Sequence, residues 1–375
     1  MYRFKRWLNA ALALLLAVTL SVGLSAAWWN GSDSSSDRTS KMPQGDPITS
    51  PEALLRYALP IDNDTVRRLQ ESLEDIGTQL RAQRRWFAAS SDVRTARRVV
   101  TYSADELLES VPESRRSQAE SLIADLSPQL DALEAAIENQ DREQTWIERG
   151  KTLDTVGELE ALMVTEFPFE VPEEYADLPQ LKGRATVEMV TEKGKITIVV
   201  DGYNAPITAG NFVDLVQRGF YDNIDVTRAE KFYVVQAGDP PGPETGFVDP
   251  KTGELRTIPL EIKIQTEALP IYEFTLEQIG LYQEDPVLPF SAYGALAMAH
   301  SDIGANDASS QFFFLRRESE MTPAGANVLD GRYAVFGYAI AGEDVLANLD
   351  KGDKIQTVRV VEGGDNLVLP EGTES

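Results

Sequence analysis

The sequence predicts an α+β protein of two folded units: an N-terminal antiparallel helical bundle, then a C-terminal closed antiparallel β-barrel. Three observations carry this. Apolar residues recur at helical three- and four-residue spacings up to about Met163, then switch to strand-like alternation after Arg184. Between the two regimes, "FPFEVPEEYADLPQLKG" sets Pro168, Pro172 and Pro179 among acids, a stretch that cannot continue a helix. At 375 residues, the chain is also long for one domain. The expected divisions are 1–27 an export signal, 28–49 a flexible linker, 50–166 the bundle, 167–182 a proline-rich linker and 183–375 the barrel.

Residues Arg3, Lys5 and Arg6 precede the apolar run "LNAALALLLAVTLSVGL", and Ser25, Ala26 and Ala27 offer a small-residue cleavage site. An uncleaved anchor is the competing reading, because the run approaches the roughly 20 residues that span a bilayer and Trp28 and Trp29 suit its interface. The following Ser/Asp/Gly-rich stretch is too polar to fold alone.

Ser50 as N-cap, Pro51 at the first helical position and Glu52 start a short helix running to about Leu59. Val66, Leu69, Leu73, Ile76, Leu80 and Phe87 then form one buried stripe, with Gln83 interrupting. Val93, Ala96, Val99, Val100, Leu107 and Leu108 predict a second long helix. Ala119 to Ile137 predict a third, which Pro128 should kink or divide. Trp146, Leu153, Val156, Leu159 and Met163 predict the last. Such stripes can be buried only against one another, hence a bundle; a coiled coil fits less well because the heptads break at Gln83 and Pro128. Arg67, Arg68, Arg81, Arg84, Arg85, Arg94, Arg97 and Arg98 read as solvated faces paired with nearby acids, or else as a docking surface for the acidic barrel.

In the second half, "TVEMV" and "KITIVV" flank a hairpin loop around Gly194. Thr208 lies near a helix start, Phe212, Leu215 and Val216 share its buried face, and Gly219 stops it. Many short strands with few helices predict a closed barrel. The acidic stretch from Gly242 to Pro289 has enough apolar content to be a packed insertion near the site.

Composition narrows the chemistry. A net charge of −25 opposes nucleic acid and anionic membrane surfaces, and a cationic protein segment is the better match. Removing the signal takes three cations and no anion, giving −28. The chain has no cysteine and one histidine, His300, so thiolate nucleophiles, cysteine zinc sites and multi-histidine metal sites are out; no metal and no cofactor are expected.

The ordered segments "NFVDLVQRGFYDN", "VVQAGDP", "GALAMAH", "SSQFFFL" and "LDGRYAVFG" resemble the successive signatures of the cyclophilin-type peptidyl-prolyl isomerases. "PEALLRYALPIDN", "FPFEVPEEY", "LKGRA" and "VDGYNAP" extend the resemblance over nearly the whole mature chain, toward the large thylakoid-lumen cyclophilins of plants and cyanobacteria. The resemblance implies an eight-stranded barrel capped by helices, with a shallow peptide groove. It also implies a reaction that needs no nucleophile. Resonance raises a barrier of about 18 to 20 kcal/mol to rotation about the peptide bond, and catalysis requires only that the twisted amide be held better than the planar one.

By resemblance, Arg228 is the catalytic arginine that donates to the prolyl nitrogen, and Gln236 orients the neighbouring carbonyl. Gln311 and Phe313 match the groove glutamine and the proline-pocket phenylalanine, Leu329 another pocket residue, and Ala299 a backbone hydrogen-bonding position. Departures from the pattern are Thr227 beside Arg228, Tyr233 and Val234 for phenylalanine and methionine, His300 for asparagine, Val328 for tryptophan and Tyr333 for histidine. They imply weak or lost isomerase activity and poor binding of cyclosporin-type inhibitors. On residues alone, Arg228 reads more simply as a strand-end charge paired with Glu230 or Asp225, and Gln236 needs hydrogen-bond partners whatever it does.

Two functions are therefore expected. One is a thylakoid-lumen folding or assembly factor that binds proline-containing segments of lumenal or exported proteins, with photosystem II subunits as candidate clients. The alternative is an active peptidyl-prolyl cis-trans isomerase for exported proteins. Location would be the thylakoid lumen or periplasm of a photosynthetic organism, cyanobacterial on the simple export signal, with membrane contact only through clients or an uncleaved anchor.

Overall fold

The computed structural model describes residues 48–82, 85–282, 284–302, 304–317 and 327–370. The expected export signal, nearly all of the following linker, Gln83 and Arg84 lie outside the described residues.

The helices are α1 Pro51–Tyr57, α2 Asp64–Ala82, α3 Trp86–Tyr102, α4 Ala104–Glu109, α5 Arg116–Glu138 and α6 Arg142–Met163. Ser50 caps α1 by accepting the Ala53 N–H, with Pro51 at the first position, and Asp141 caps α6 by accepting the Gln144 N–H. Val66, Leu69, Leu73, Ile76 and Leu80 are buried against the stripes of α3, α5 and α6 in one core. Three expectations need correction. Phe87 belongs to α3 and is 85% exposed, because the break after α2 resets the helical phase. Leu107 and Leu108 sit in the separate α4, since Ser103 leaves helical geometry with φ −121° and ψ 25°. Pro128 lies inside an unbroken α5. It and Ala124, whose carbonyl loses its partner, are on the exposed face, where water can take the freed bond.

The arginines of α2 and α3 do not form one solvated face. Arg97 bridges Asp131 and Glu134 at the surface, and Arg81 covers the Trp146 ring. Arg67 instead turns inward, where it donates to Arg56 O, Leu59 O and Gln70 Oε1 and pairs at 3.3 Å with the fully buried Glu160. Burial pushes the Glu160 carboxyl up to about 7, against the pull of Arg67 and Arg56. Beside this pair, Glu74 joins Arg56 and Arg149.

The strands are β1 Gln180–Leu181, β2 Arg184–Thr191, β3 Gly194–Asp201, β4 Ile224–Asp225, β5 Arg228–Ala229, β6 Val234–Ala237, β7 Glu261–Ile262, β8 Ile271–Tyr272, β9 Ala295–Met298, β10 Phe312–Leu315, β11 Val335–Ala341, β12 Lys354–Glu362 and β13 Leu367–Val368. Nine of them form one antiparallel sheet in the order β4-β12-β2-β3-β11-β9-β10-β6-β5. Its two edges, β4 and β5, are halves of one bent segment, Ile224–Ala229, so the sheet curls round until its edges meet in sequence. Counted as one, they leave the eight strands that the resemblance implies.

Strand alternation sends Val187, Ile198, Val235, Ala237, Leu296, Phe312 and Phe314 into the barrel core, which the helix α7, Pro206–Gln217, closes with Phe212. The opposite faces build a second apolar cluster outside the barrel: Val234, Ala297, Phe313, Leu315, Val335 and Tyr338, with Leu54 and Leu55 of α1 and Ala58 at its C-terminal cap. Helix α1 is pinned there: Leu55 O accepts from Arg184, Ala58 O from Asn204, and Ile48 O from Ser291. Since Arg56 of the same helix binds Glu74 of α2, α1 ties bundle and barrel into one compact unit.

The insertion packs Leu260, Ile262, Ile264 and Leu276 as a small core of its own with Ala334. Its Glu261 caps α7 from a distance. Ala205 at the N-cap offers no side-chain acceptor, and Glu261 takes the N–H groups of Ile207 and Thr208 and the Thr208 hydroxyl.

Candidate functional site

The site is built on one row across the sheet. Arg228 on β5 lies opposite Gln236 on β6, which lies opposite Phe313 on β10, which lies opposite Ala297 on β9. Residues directly opposite in antiparallel strands share a face, so the arginine, the glutamine and the phenylalanine point outward together. Phe313 is nearly fully buried in the outer cluster. Its ring lies parallel to Phe290, with centroids 5.9 Å apart, and edge-on to Tyr333 at 5.3 Å. Tyr333 in turn stacks on His300 at 4.4 Å. Burial, followed by the charges of Tyr233 and Asp302, raises the Tyr333 hydroxyl above its ordinary value.

Phe290, which sequence reading passed over, is clamped by its backbone. Its N–H donates to Asp330 and its carbonyl accepts from Asn327. Burial pushes the Asp330 carboxyl up to about 6. Leu329, in the same turn, is buried in the outer cluster, while its neighbour Val328 is 69% exposed and forms no wall. Ala299 donates its N–H to Gln311 O at 2.8 Å, placing the end of β9 against the start of β10. Both ring nitrogens of His300 face carbonyl oxygens, Ser301 O at 2.8 Å and Arg332 O at 3.0 Å.

The polar end of the row is a relay. Gln236 Nε2 donates to Gln311 Oε1 at 2.9 Å, and Gln311 Nε2 donates to Asp239 Oδ1 at 3.1 Å and to Thr245 O at 2.9 Å. Asp239 and Thr245 thus set which way the Gln311 amide faces, and Gln311 sets Gln236. Arg228 pairs at 2.7 Å with Glu230 and lies 5.5 Å over the Tyr233 ring. Asp225, the other partner open to it on sequence, is taken by Lys354. Thr227 hydrogen-bonds its backbone N–H to Gln236 O, and Val234 lies in the outer cluster.

Arg228, Tyr233, Gln236, Gln311, Phe313, Leu329, Tyr333 and His300 thus lie along one outer strip, with Val328 standing clear of the wall. A strip with an apolar aromatic floor at one end and an arginine and two glutamines at the other can hold a proline ring while meeting the adjoining amide with donors and acceptors.

Residues 186–365 match the family profile described as cyclophilin type peptidyl-prolyl cis-trans isomerase. Residues 50–164 match one described as the PsbQ-like domain of CYP38-like peptidyl-prolyl cis-trans isomerases. The chain is 52% identical to the Synechocystis protein sll0408, named for a thylakoid lumen peptidyl-prolyl cis-trans isomerase, over 97% of this chain and 96% of that one. It is 45% identical to the chloroplastic peptidyl-prolyl cis-trans isomerase CYP38 of Arabidopsis thaliana, over 87% of this chain and 77% of that protein. To the chloroplastic CYP37 of the same plant it is 35% identical, over 85% of this chain and 71% of that protein.

Proposed function

Because the chain belongs to the cyclophilin family of peptidyl-prolyl isomerases, we propose that its outer strip is a groove for proline-containing segments of lumenal or exported proteins, serving folding or assembly in the thylakoid lumen. The row Arg228, Gln236 and Phe313 carries this reading, since one face presents a guanidinium, an amide and an aromatic floor in the sequence a prolyl peptide requires. Phe313, Tyr333 and Leu329 take the proline ring. Gln236 meets the preceding carbonyl, and Arg228 donates to the prolyl nitrogen, whose lone pair becomes available once resonance is broken.

Turnover is weak or lost in this reading, because Arg228 is engaged by Glu230, Val328 supplies no aromatic rim and Tyr233 adds a hydroxyl beside the guanidinium. The names of the relatives support a lumenal location, and photosystem II subunits are the clients proposed. Active isomerisation of exported proteins is the second reading, favoured by the unbroken row itself.

Exchange NMR on a capped Ala-Pro peptide separates the two. Binding that Phe313→Ala abolishes, without a rate that Arg228→Ala lowers, supports the assembly factor. A rate that Arg228→Ala lowers 10-fold or more, to order of magnitude, supports the isomerase. Unchanged binding in Phe313→Ala defeats both.

A further inference from the structure

Arg228 has a carboxylate partner before any peptide arrives. Its Nε and Nη2 both lie 2.7 Å from Oε1 of Glu230, and its guanidinium covers Tyr233. Glu230 is two residues on from Arg228, so both side chains leave the same side of the strand. Its backbone is held as well: the N–H donates to Val234 O at 2.8 Å and the carbonyl accepts from Tyr233. These bonds close a three-residue loop, Lys231 to Tyr233, with Phe232 in the left-handed region at φ 63°. The carboxylate therefore stands on a fixed base at the rim of the groove.

Gln236 lies directly across the strand pair from Arg228 and carries a second acceptor on the same face. Asp239 can only accept, so it takes the Gln311 amide nitrogen; Gln311 must then offer its oxygen to Gln236, which spends its own nitrogen there. Gln236 is left with its Oε1 as acceptor, and among the described hydrogen bonds none reaches it. The guanidinium is thus held by a rim carboxylate, while the residue opposite it in the register keeps an amide oxygen to offer.

We propose that Glu230 is a positioning residue that holds Arg228 at the rim of the empty groove, in competition with Gln236 and the prolyl amide. Arg228 must leave Glu230 to act on a peptide. This rests on the reading of Arg228 as the donor to the prolyl nitrogen. Both members of the pair are about half exposed, and an ion pair of that kind shifts populations by a factor of about 2 to 5.

The test uses the full chain with a capped, uncharged Ala-Pro peptide, comparing wild type with Glu230→Gln, Arg228→Ala and the double variant by exchange NMR. Glu230→Gln raises kcat about 2- to 5-fold with KM unchanged, and the double variant shows no gain over Arg228→Ala. Raising salt from about 50 to about 500 mM, which screens the exposed pair, raises kcat of wild type but not of Glu230→Gln. Should Glu230→Gln fold poorly, Glu230→Ser takes its place as the salt-insensitive reference in both comparisons. An unchanged or lower kcat in Glu230→Gln, no measurable rate in any chain, or a salt response shared by both overturns the role of Glu230. If Arg228→Ala then still slows exchange or weakens peptide binding, the reading of Arg228 stands without its clamp. If Arg228→Ala matches wild type in both, that reading falls first and the clamp with it.

Discussion

Replacing Glu261 separates what its oxygens do from what its charge does. In the folded chain it accepts three hydrogen bonds at the start of α7, from Ile207 N–H at 3.3 Å, Thr208 N–H at 2.9 Å and Thr208 Oγ1 at 3.0 Å. Glu261→Ala leaves those three donors buried without a partner, at a cost of about 1 kcal/mol or more each, so a loss of about 3 kcal/mol or more is expected. Glu261→Gln keeps one acceptor oxygen, replaces the other with an NH2 donor much as the protonated carboxyl does, and cannot ionise. Burial pushes the Glu261 carboxyl up to about 7, in spite of those donors. An unfolded glutamate titrates near 4.3, so between the two values the folded chain binds the extra proton. This contribution to stability is therefore fully present below about 4.3 and is lost as pH rises through about 7, by about 4 kcal/mol in all. Glu261→Gln lacks this loss. It should match wild type near pH 4.5 to order of magnitude and exceed it by up to about 4 kcal/mol near pH 8. Urea unfolding of the three chains across that range, followed by near-ultraviolet circular dichroism, measures it. A Gln-minus-Glu difference that stays flat with pH, or an alanine variant as stable as the glutamine one, would refute the reasoning.

Three further predictions follow from the same physics. Glu160→Gln should also flatten the loss of stability between about pH 4.3 and pH 7, because burial against Arg67 raises that carboxyl to about 7; a variant with the wild-type pH slope in thermal melts counts against it. Leu54→Ala, at a fully buried position where α1 meets the barrel, should cost about 2 to 5 kcal/mol in denaturant unfolding, and a cost under about 1 kcal/mol would mean that α1 is loosely seated. Asp239→Asn leaves Thr245 O as the one obligate acceptor for the Gln311 amide nitrogen, so the orientation of Gln311 and Gln236 is held more weakly. Calorimetric affinity for a proline peptide should fall about 3- to 10-fold with an unchanged melting midpoint, and unchanged affinity would show that the relay is idle.

Much of the fold is legible in local spacing. The stripe from Val66 to Leu80 is buried as its period requires, and the alternation of β2 and β3 assigns their faces directly. Phe312, Phe313 and Phe314 show how far that reaches. Alternation splits them between two faces, but only the sheet reveals that both faces are apolar, one the barrel core and the other the floor of the groove. Arg228 and Gln236 stand out on sequence as polar residues on a strand-like run, and the register sets them opposite one another. Phe290 could not be singled out, because it becomes a wall only when Asp330 and Asn327 clamp its backbone 40 and 37 residues away in sequence.

The sequence by itself determined the order of helices and strands, the family and the residue types along the strip, because period, turn residues and motif order are local properties of the chain. Tertiary structure alone decided which charges are buried and which groups compete. Arg67 and Glu160 look like surface residues until α2 and α6 bring them together, and Glu261 becomes a helix cap only when the insertion folds back over α7. Glu230 was one of two acids within reach of Arg228 on sequence, and it is the partner because Lys354 takes Asp225. The reason is common to all three: desolvation and pairing depend on distances between groups far apart in sequence, and local pattern does not encode them.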